Sequence, residues 1–290
     1  MDTNFLVEDL NVLVVGTVRN TSQTLERNIA ILEEVLSNFK STYFFLVESD
    51  SDDETPFVLK RLQLSKSNFA FTTFGKLEPE IPSRTQRLAH CRNAYLHFIS
   101  STDVGLVSDI VIVVDLDMSL KLLSSSGLES CWLRDDWAAC FANQRAPYYD
   151  IWSLRHPEWS PNDCTVGEAF FVSQGLTWRE ARTVSTYSKM IHLRENEPWI
   201  EVQSAFGGLG VYKKKFLDGK VYLGENNKGE AISEHLSVHE GIIADGGKLY
   251  INPKLINIAW NEHNSELKMR RKIFRFIKII IIKYFRMRDI

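Results

Sequence analysis

The sequence predicts an α/β domain with a mostly parallel central sheet and helices on both faces. Three observations predict it. Apolar β-forming stretches recur at 11–20, 42–48, 69–75 and 110–115. Segments with helical spacing separate them, and such strand–helix alternation favours parallel pairing through crossover helices. Several of the strands also run straight into polar residues, the usual ligand-facing ends of an open α/β sheet. At 290 residues with 44% hydrophobic content, the chain can bury one large core, and no Pro/Gly/Ser-rich linker divides it.

Taken in order, NVLVVGTVRN (11–20) reads as a first buried strand containing Gly16. Leu25, Ile29, Leu32 and Leu36 then recur at helical spacing within 22–40, with Thr21 or Ser22 as the cap. TYFFLVE (42–48) is a second strand with the polar exit SDSDDETP, and a short helix follows at 57–64. FAFTTFG (69–75) is a third strand. Residues 84–100 form a helix with Arg84, Arg87 and Cys91 on one side and Leu88, Tyr95 and Ile99 on the other. IVIVVD is the fourth strand. Beyond 120 the pattern loosens: AFFVSQ (169–174), AFGGLGVYKKKFL (205–217) and KLYINPKLI (248–256) read as shorter strands or loops laid onto the sheet.

Charge is unevenly spread. From 268 to 290 there are nine Lys/Arg and one Asp, so this tail carries +8 and the preceding 267 residues carry −11. An acidic body argues against nucleic acid as a partner. The tail places Ile273, Phe276, Ile277, Ile280 and Tyr284 on one helical face, with Lys268, Arg271, Arg275 and Lys278 elsewhere. A basic amphipathic helix suits an anionic membrane surface. The expected division is 1–267 as the folded domain (10–120 and 121–267 as its halves) and 268–290 as a membrane-association tail. Cys91, Cys131, Cys140 and Cys164 form no CxxC pair, and no signal-peptide core or membrane-spanning run occurs. The expected location is cytoplasmic, peripherally attached to the inner face of the membrane.

Arg19-Asn20, Glu48–Asp53 and Asp115–Asp117 all fall at strand exits and should converge on one crevice. Asp115 and Asp117 flank Leu116, and alternate carboxylates on an opening loop suit a hard divalent cation, Mn²⁺ or Mg²⁺, beside a diphosphate. The same DLDMS also fits the DxDx(S/T) motif of haloacid-dehalogenase-type phosphatases, with Asp115 as nucleophile. That motif normally opens its domain, whereas here three strands precede it. Arg84 and Arg92, with Asn93, lie on the helix that would face a diphosphate or ribose, and Arg19 is better placed still. Gly207-Gly208 would let backbone approach a sugar closely. Glu234 and His235 form a Glu-His pair with His239 one turn on; zinc is disfavoured because HLSVH lacks the glutamate of HExxH. A carboxylate there could act as general base on an acceptor hydroxyl or orient it. Asp150 and Arg155 sit among Tyr149, Trp152 and Trp159, rings that can stack on sugars.

Several segments carry a resemblance. VESDSDDET (47–55) and DLD are similar to the second-strand exit and DxD of GT-A glycosyltransferases. RLAHCRNAYL (87–96), YYDIWSLRH (148–156), SAFGGLGVY (204–212, with Ala205 in place of the family's cysteine), SEHLSVHEGI (233–242) and INPKL (251–255) resemble the capsule-associated α-1,3-mannosyltransferase-like family. The resemblance implies a GT-A type nucleotide-diphospho-sugar transferase fold. It also implies a sugar, with mannose from GDP-mannose as the first guess, moved with retention to a glycan or lipid-linked oligosaccharide in surface polysaccharide synthesis. Glu48 and Asp53 would contact the nucleotide, and His263 would join Asp115 and Asp117 on the metal. A nucleotidyltransferase, a DxDxS phosphatase and a non-catalytic membrane adaptor remain rivals; GTVRN is a poor triphosphate loop.

Overall fold

The structure, a computed structural model, describes residues 7–265, 267 and 268. The predicted tail helix therefore lies outside the described residues, apart from Lys268. The elements run β1 (Asn11–Val18), α1 (Leu25–Val35), β2 (Ser41–Glu48), α2 (Thr55–Ser65), β3 (Phe69–Thr73), α3 (Arg84–Ser101), α4 (Asp103–Val107) and β4 (Ile110–Val114). The second half adds α5 (Ser125–Glu129), β5 (Ala139–Gln144), α6 (Cys164–Ser173), α7 (Trp178–Ser185), β6 (Ile200–Val202), β7 (Leu209–Lys213), α8 (His235–Ala244) and β8 (Leu249–Ile258).

These strands form one eight-stranded sheet in the order β3-β2-β1-β4-β7-β5-β8-β6. β7 is antiparallel to both β4 and β5, and β6 is antiparallel to β8, so the other six strands point the same way. The expected mostly parallel α/β architecture is present. Both faces are covered: Leu13 and Val15 pack toward α3 and α8, while Val12 and Val14 pack toward α1 and α2. Burial on both faces is why these strands read as unbroken apolar runs. Among the described residues, no helix is long and apolar enough to cross a membrane.

Local departures have physical causes. AFFVSQ is the end of helix α6, not a strand; Asp163 caps its start by accepting from the Thr165 N–H, and Gly175 follows it at φ 94°. A short apolar run cannot separate the two periods by itself. α1 begins one turn later than expected because Thr24 and Leu25 donate back to the Thr21 carbonyl. α3 is not two-faced: Arg87, Cys91, Arg92, Tyr95 and Ile99 are all buried. β5 and β8 lose register at their carboxyl ends. Ala142 pairs with Asn252, Asn143 with Ile256 and Gln144 with Ile258, so Pro253 and its neighbours bulge out of the ladder. Proline cannot donate to a ladder, and such bulges re-aim side chains.

Candidate active site

The carboxyl ends of β1, β2, β4, β5 and β8 share one edge of the sheet, and β7 starts there. β1 and β2 exit through two left-handed residues, Asn20 at φ 53° and Asp50 at φ 58°. Asn and Asp tolerate that region best among residues with a side chain. Arg19 Nε donates to the Asp50 carbonyl at 3.1 Å, and the Asp52 N–H donates to Asn20 Oδ1 at 2.7 Å. Asp53 accepts from the Ser22 and Thr55 amides; these bonds outweigh the opposing effect of burial and hold it down to about 2. Glu48 is buried, with one oxygen accepting from the Ser51 N–H and the other from the Thr73 hydroxyl. Both oxygens are thus engaged within the protein, as befits a brace between β2 and β3. Arg87 is likewise internal, donating to the Ile81 and Pro82 carbonyls at 2.8 Å. Arg84 is exposed at the start of α3.

The DLD segment is clamped from beneath. Asn28, fully buried on α1, donates to the carbonyls of Leu116 and Met118 and accepts from the Leu120 N–H; the Thr24 hydroxyl also donates to Leu116. The Asp115 N–H donates to the Gly208 carbonyl at 2.9 Å. Gly208 (φ 82°) could not carry a Cβ, which would meet Tyr149 Oη at 2.9 Å and Met118 Cε at 2.8 Å. The glycine pair therefore serves close packing of the protein on itself. Gly207 donates to Asp150 Oδ2 at 3.0 Å, and its carbonyl accepts from Asn257 and Gln144.

Arg92 is the centre of the cluster. It is 3% exposed, donates from Nε to Glu234 at 2.8 Å and from Nη2 to Asp115 at 3.4 Å, and lies over the rings of Phe206 and Tyr222. Its neighbour Asn93 grips the Tyr222 backbone in both directions, a clamp on the 220s loop. Burial pushes Asp115 up to about 7; Arg92 opposes this, while Asp117, Glu234 and Asp150 add to it. Burial also raises Asp150, against the hydrogen bonds from Gly207 and Ser153. Asp117 is raised by desolvation and by Glu262, and lowered by His263, although its side chain reaches solvent. His263 is exposed and stacks on Tyr149, ring centroids 5.4 Å apart.

Of the sequence-predicted metal ligands, Asp117 is near enough to raise the pKa of Asp115, and His263 near enough to lower that of Asp117. Among the described residues, no three His, Cys, Asp or Glu side chains converge closely enough to hold a metal as they stand. The donor chemistry nevertheless fits: carboxylate oxygens and one imidazole suit Mn²⁺ or Mg²⁺. Burial raises the pKa of Asp115, Asp117 and Asp150, and Arg92 opposes it only at Asp115, so a divalent cation would stabilise their ionised forms.

Behind the site, α8 buries His235 and His239, their rings stacked at 5.7 Å. His239 bridges Ser204 Oγ (2.8 Å) and Tyr212 Oη (2.9 Å) and belongs to the core. Burial, aided by Arg92, holds His239 down to about 3 and His235 well below the usual range. Unfolded histidines take up protons near pH 6.5 that the folded pair refuses, so this pair weakens folding as pH falls below 6.5. Each contributes about 1.4 kcal/mol per pH unit. Melting temperatures of His239→Gln between pH 7 and 5 should fall less steeply than those of the wild type; parallel slopes would disprove the buried-neutral assignment.

No family model matches the chain, and no curated protein matches it. Several solved structures are similar to it. The mannosyltransferase PcManGT from Pyrobaculum calidifontis, in complex with GDP-Man and Mn2+, is 16% identical with a TM-score of 0.49, covering 86% of this chain and 56% of that one. TarS 1-349 from S. aureus, in complex with UDP-GlcNAc, is 10% identical with a TM-score of 0.46 over 87% and 59%. Glucosyl-3-phosphoglycerate synthase from Mycobacterium tuberculosis, in complex with Mn2+, UDP and phosphoglyceric acid, is 14% identical with a TM-score of 0.40 over 86% and 67%. The chain thus spans less than two thirds of the length of PcManGT and of TarS 1-349.

Proposed function

We propose that this chain is a divalent-cation-dependent glycosyltransferase that passes a sugar from a nucleoside-diphosphate donor to an acceptor hydroxyl. The observation that carries the reading is the crowding of Asp115, Asp117, Asp150 and Glu234 at the carboxyl edge of the sheet with one buried guanidinium among them. Asp115 and Asp117, with His263, would hold Mn²⁺ or Mg²⁺, which when bound neutralises the leaving diphosphate. Arg84, exposed, and Arg19, exposed with its Nε on the Asp50 carbonyl, are the arginines assigned to the nucleotide. Arg92 instead fixes the positions of Asp115 and Glu234. Glu234 Oε1 is held by Arg92, which leaves Oε2 for an acceptor hydroxyl, as base or as orienting group. Asp150 is anchored through Gly207 and Ser153, and so fixes the turn that seats Asp115.

The finer reading is transfer of mannose from GDP-mannose with retention, in surface polysaccharide synthesis. It rests on the segment resemblance and is part of the proposal. So is peripheral attachment to the inner membrane face through 268–290, which would bring the site to a lipid-linked oligosaccharide. Thermal melts with GDP, UDP and ADP, each with and without Mn²⁺, test the core claim. Saturating GDP with Mn²⁺ should raise stability by about 2.7 kcal/mol at a hundredfold excess over Kd. If no nucleotide shifts the melt, the reading fails; hydrolysis of p-nitrophenyl phosphate would favour the phosphatase instead.

A further inference from the structure

Beside the carboxylate cluster, where β5 and β8 separate around Pro253, lies a cavity of about 310 Å³. Gln144, Arg145, His192, Arg194, Glu195 and Ile256 line it. Its wall is stitched in place. The Tyr148 N–H donates to the Ile191 carbonyl at 2.8 Å, Asn143 donates to the Leu193 carbonyl at 3.1 Å, and a turn closes from the Glu197 N–H to the Arg194 carbonyl at 3.0 Å. Held this way, the 191–197 segment presents His192 and Arg194 to solvent on either side of buried Leu193.

The cavity is chemically specific. Neither the Arg145 nor the Arg194 guanidinium has a hydrogen-bond or ion-pair partner among the described residues. His192 Nε2 donates to the Arg145 carbonyl at 3.1 Å, which fixes the imidazole at the rim. One carboxylate, Glu195, faces two guanidinium groups, so the balance is positive. Gln144 is fully buried, and its Nε2 is turned toward the Gly207 carbonyl at 3.1 Å. Its Oε1 is consequently left without a partner among the described residues. That oxygen is sealed from solvent, so the exposed arginines at the rim, not Gln144, are the groups a ligand would meet.

We infer that this cavity binds an anionic ligand, its negative group held by the Arg145 and Arg194 guanidinium groups. Planar guanidinium groups suit carboxylate and phosphate alike. Gln144 also holds Gly207, whose N–H donates to Asp150, so the cavity and the carboxylate cluster share one rigid link. Taking the glycosyl-transfer reading as given, the anion belongs to the acceptor, either as a sugar acid or as a phosphate ester.

Titration calorimetry in the presence of Mn²⁺ and GDP tests this with D-glucuronate, glycerol 1-phosphate and neutral glucose as probes. One or both anions should bind, and glucose should not. The tighter anion identifies the source as sugar acid or phosphate ester. The double variant Arg145→Gln/Arg194→Gln should weaken anion binding about tenfold or more. Its melting shift with GDP and Mn²⁺ should match the wild type, which shows that it folds and keeps the donor site. Unchanged anion affinity in that variant, binding of glucose as strong as that of the anions, or no anion binding while the GDP shift persists would each overturn the inference. Loss of the GDP shift in the wild type would instead strike the transferase reading, leaving anion binding to be judged by the same two-arginine comparison without nucleotide.

Discussion

If the chain transfers sugar as proposed, Asp115→Asn is expected to slow transfer roughly a thousandfold or more, yet to raise the melting temperature of the metal-free protein at pH 8. The first effect would follow from losing one anionic ligand of the proposed cation, which balances the leaving diphosphate; a thousandfold is about 4 kcal/mol of transition-state stabilisation. The second follows from burial and the like charges that lift Asp115 from 3.8 to about 7. At pH 8 the carboxylate is ionised in folded and unfolded chains, and only the folded one holds it among Asp117, Glu234 and Asp150. Below pH 3.8 it is protonated in both, and the strain vanishes. The gain for Asn is therefore largest above pH 7 and fades toward pH 4. Allowing for a side chain 29% exposed and the weakened contact to Arg92, about 2 kcal/mol is expected. Melts of both proteins at pH 8 and pH 4.5, with turnover at saturating Mn²⁺, check both halves. A variant that is inactive but also less stable at pH 8 would refute the crowded-carboxylate account.

Arg92→Met should destabilise the fold by about 3–5 kcal/mol, the range for removing one partner of a buried ion pair. The guanidinium is 3% exposed and serves Glu234, Asp115 and Tyr95 together. Without it, Glu234 is left buried and unpaired, 5% exposed. The Met side chain replaces the packing against Phe206 and Tyr222, so the loss measured is mainly electrostatic. The double variant Arg92→Met/Glu234→Gln should recover a large part of that stability, because the stranded charge is gone. Urea unfolding of the four proteins closes the cycle, and strict additivity would show that the two side chains do not act as a pair.

Much of the first half of the fold was legible because parallel strands buried on both faces must be continuous apolar runs, as IVIVV and TYFFLVE are. The strand exits that frame the candidate site were legible for the same reason. Roles within it were harder to read. Arg92 looked like a phosphate contact because arginines on helices usually face solvent; only the tertiary fold brings Glu234 against it from 142 positions away. Glu48 looked ligand-facing, but Ser51 and Thr73 consume its oxygens. Asn28 gave no signal, since a single amide in an amphipathic helix looks like any polar surface residue until a loop closes over it. The slip between β5 and β8 was flagged only by Pro253, and proline in a strand has several explanations.

Because β7 enters the sheet against the direction of β4, the turn at Gly207-Gly208 meets Asp115 across more than ninety intervening positions. Contacts of such sequence separation close late, after the local units have condensed. A nascent chain that has emerged only as far as β5 already possesses its DLD segment but lacks the backbone carbonyl that seats it. The DLD segment should thus be seated only once residues beyond 208 have emerged.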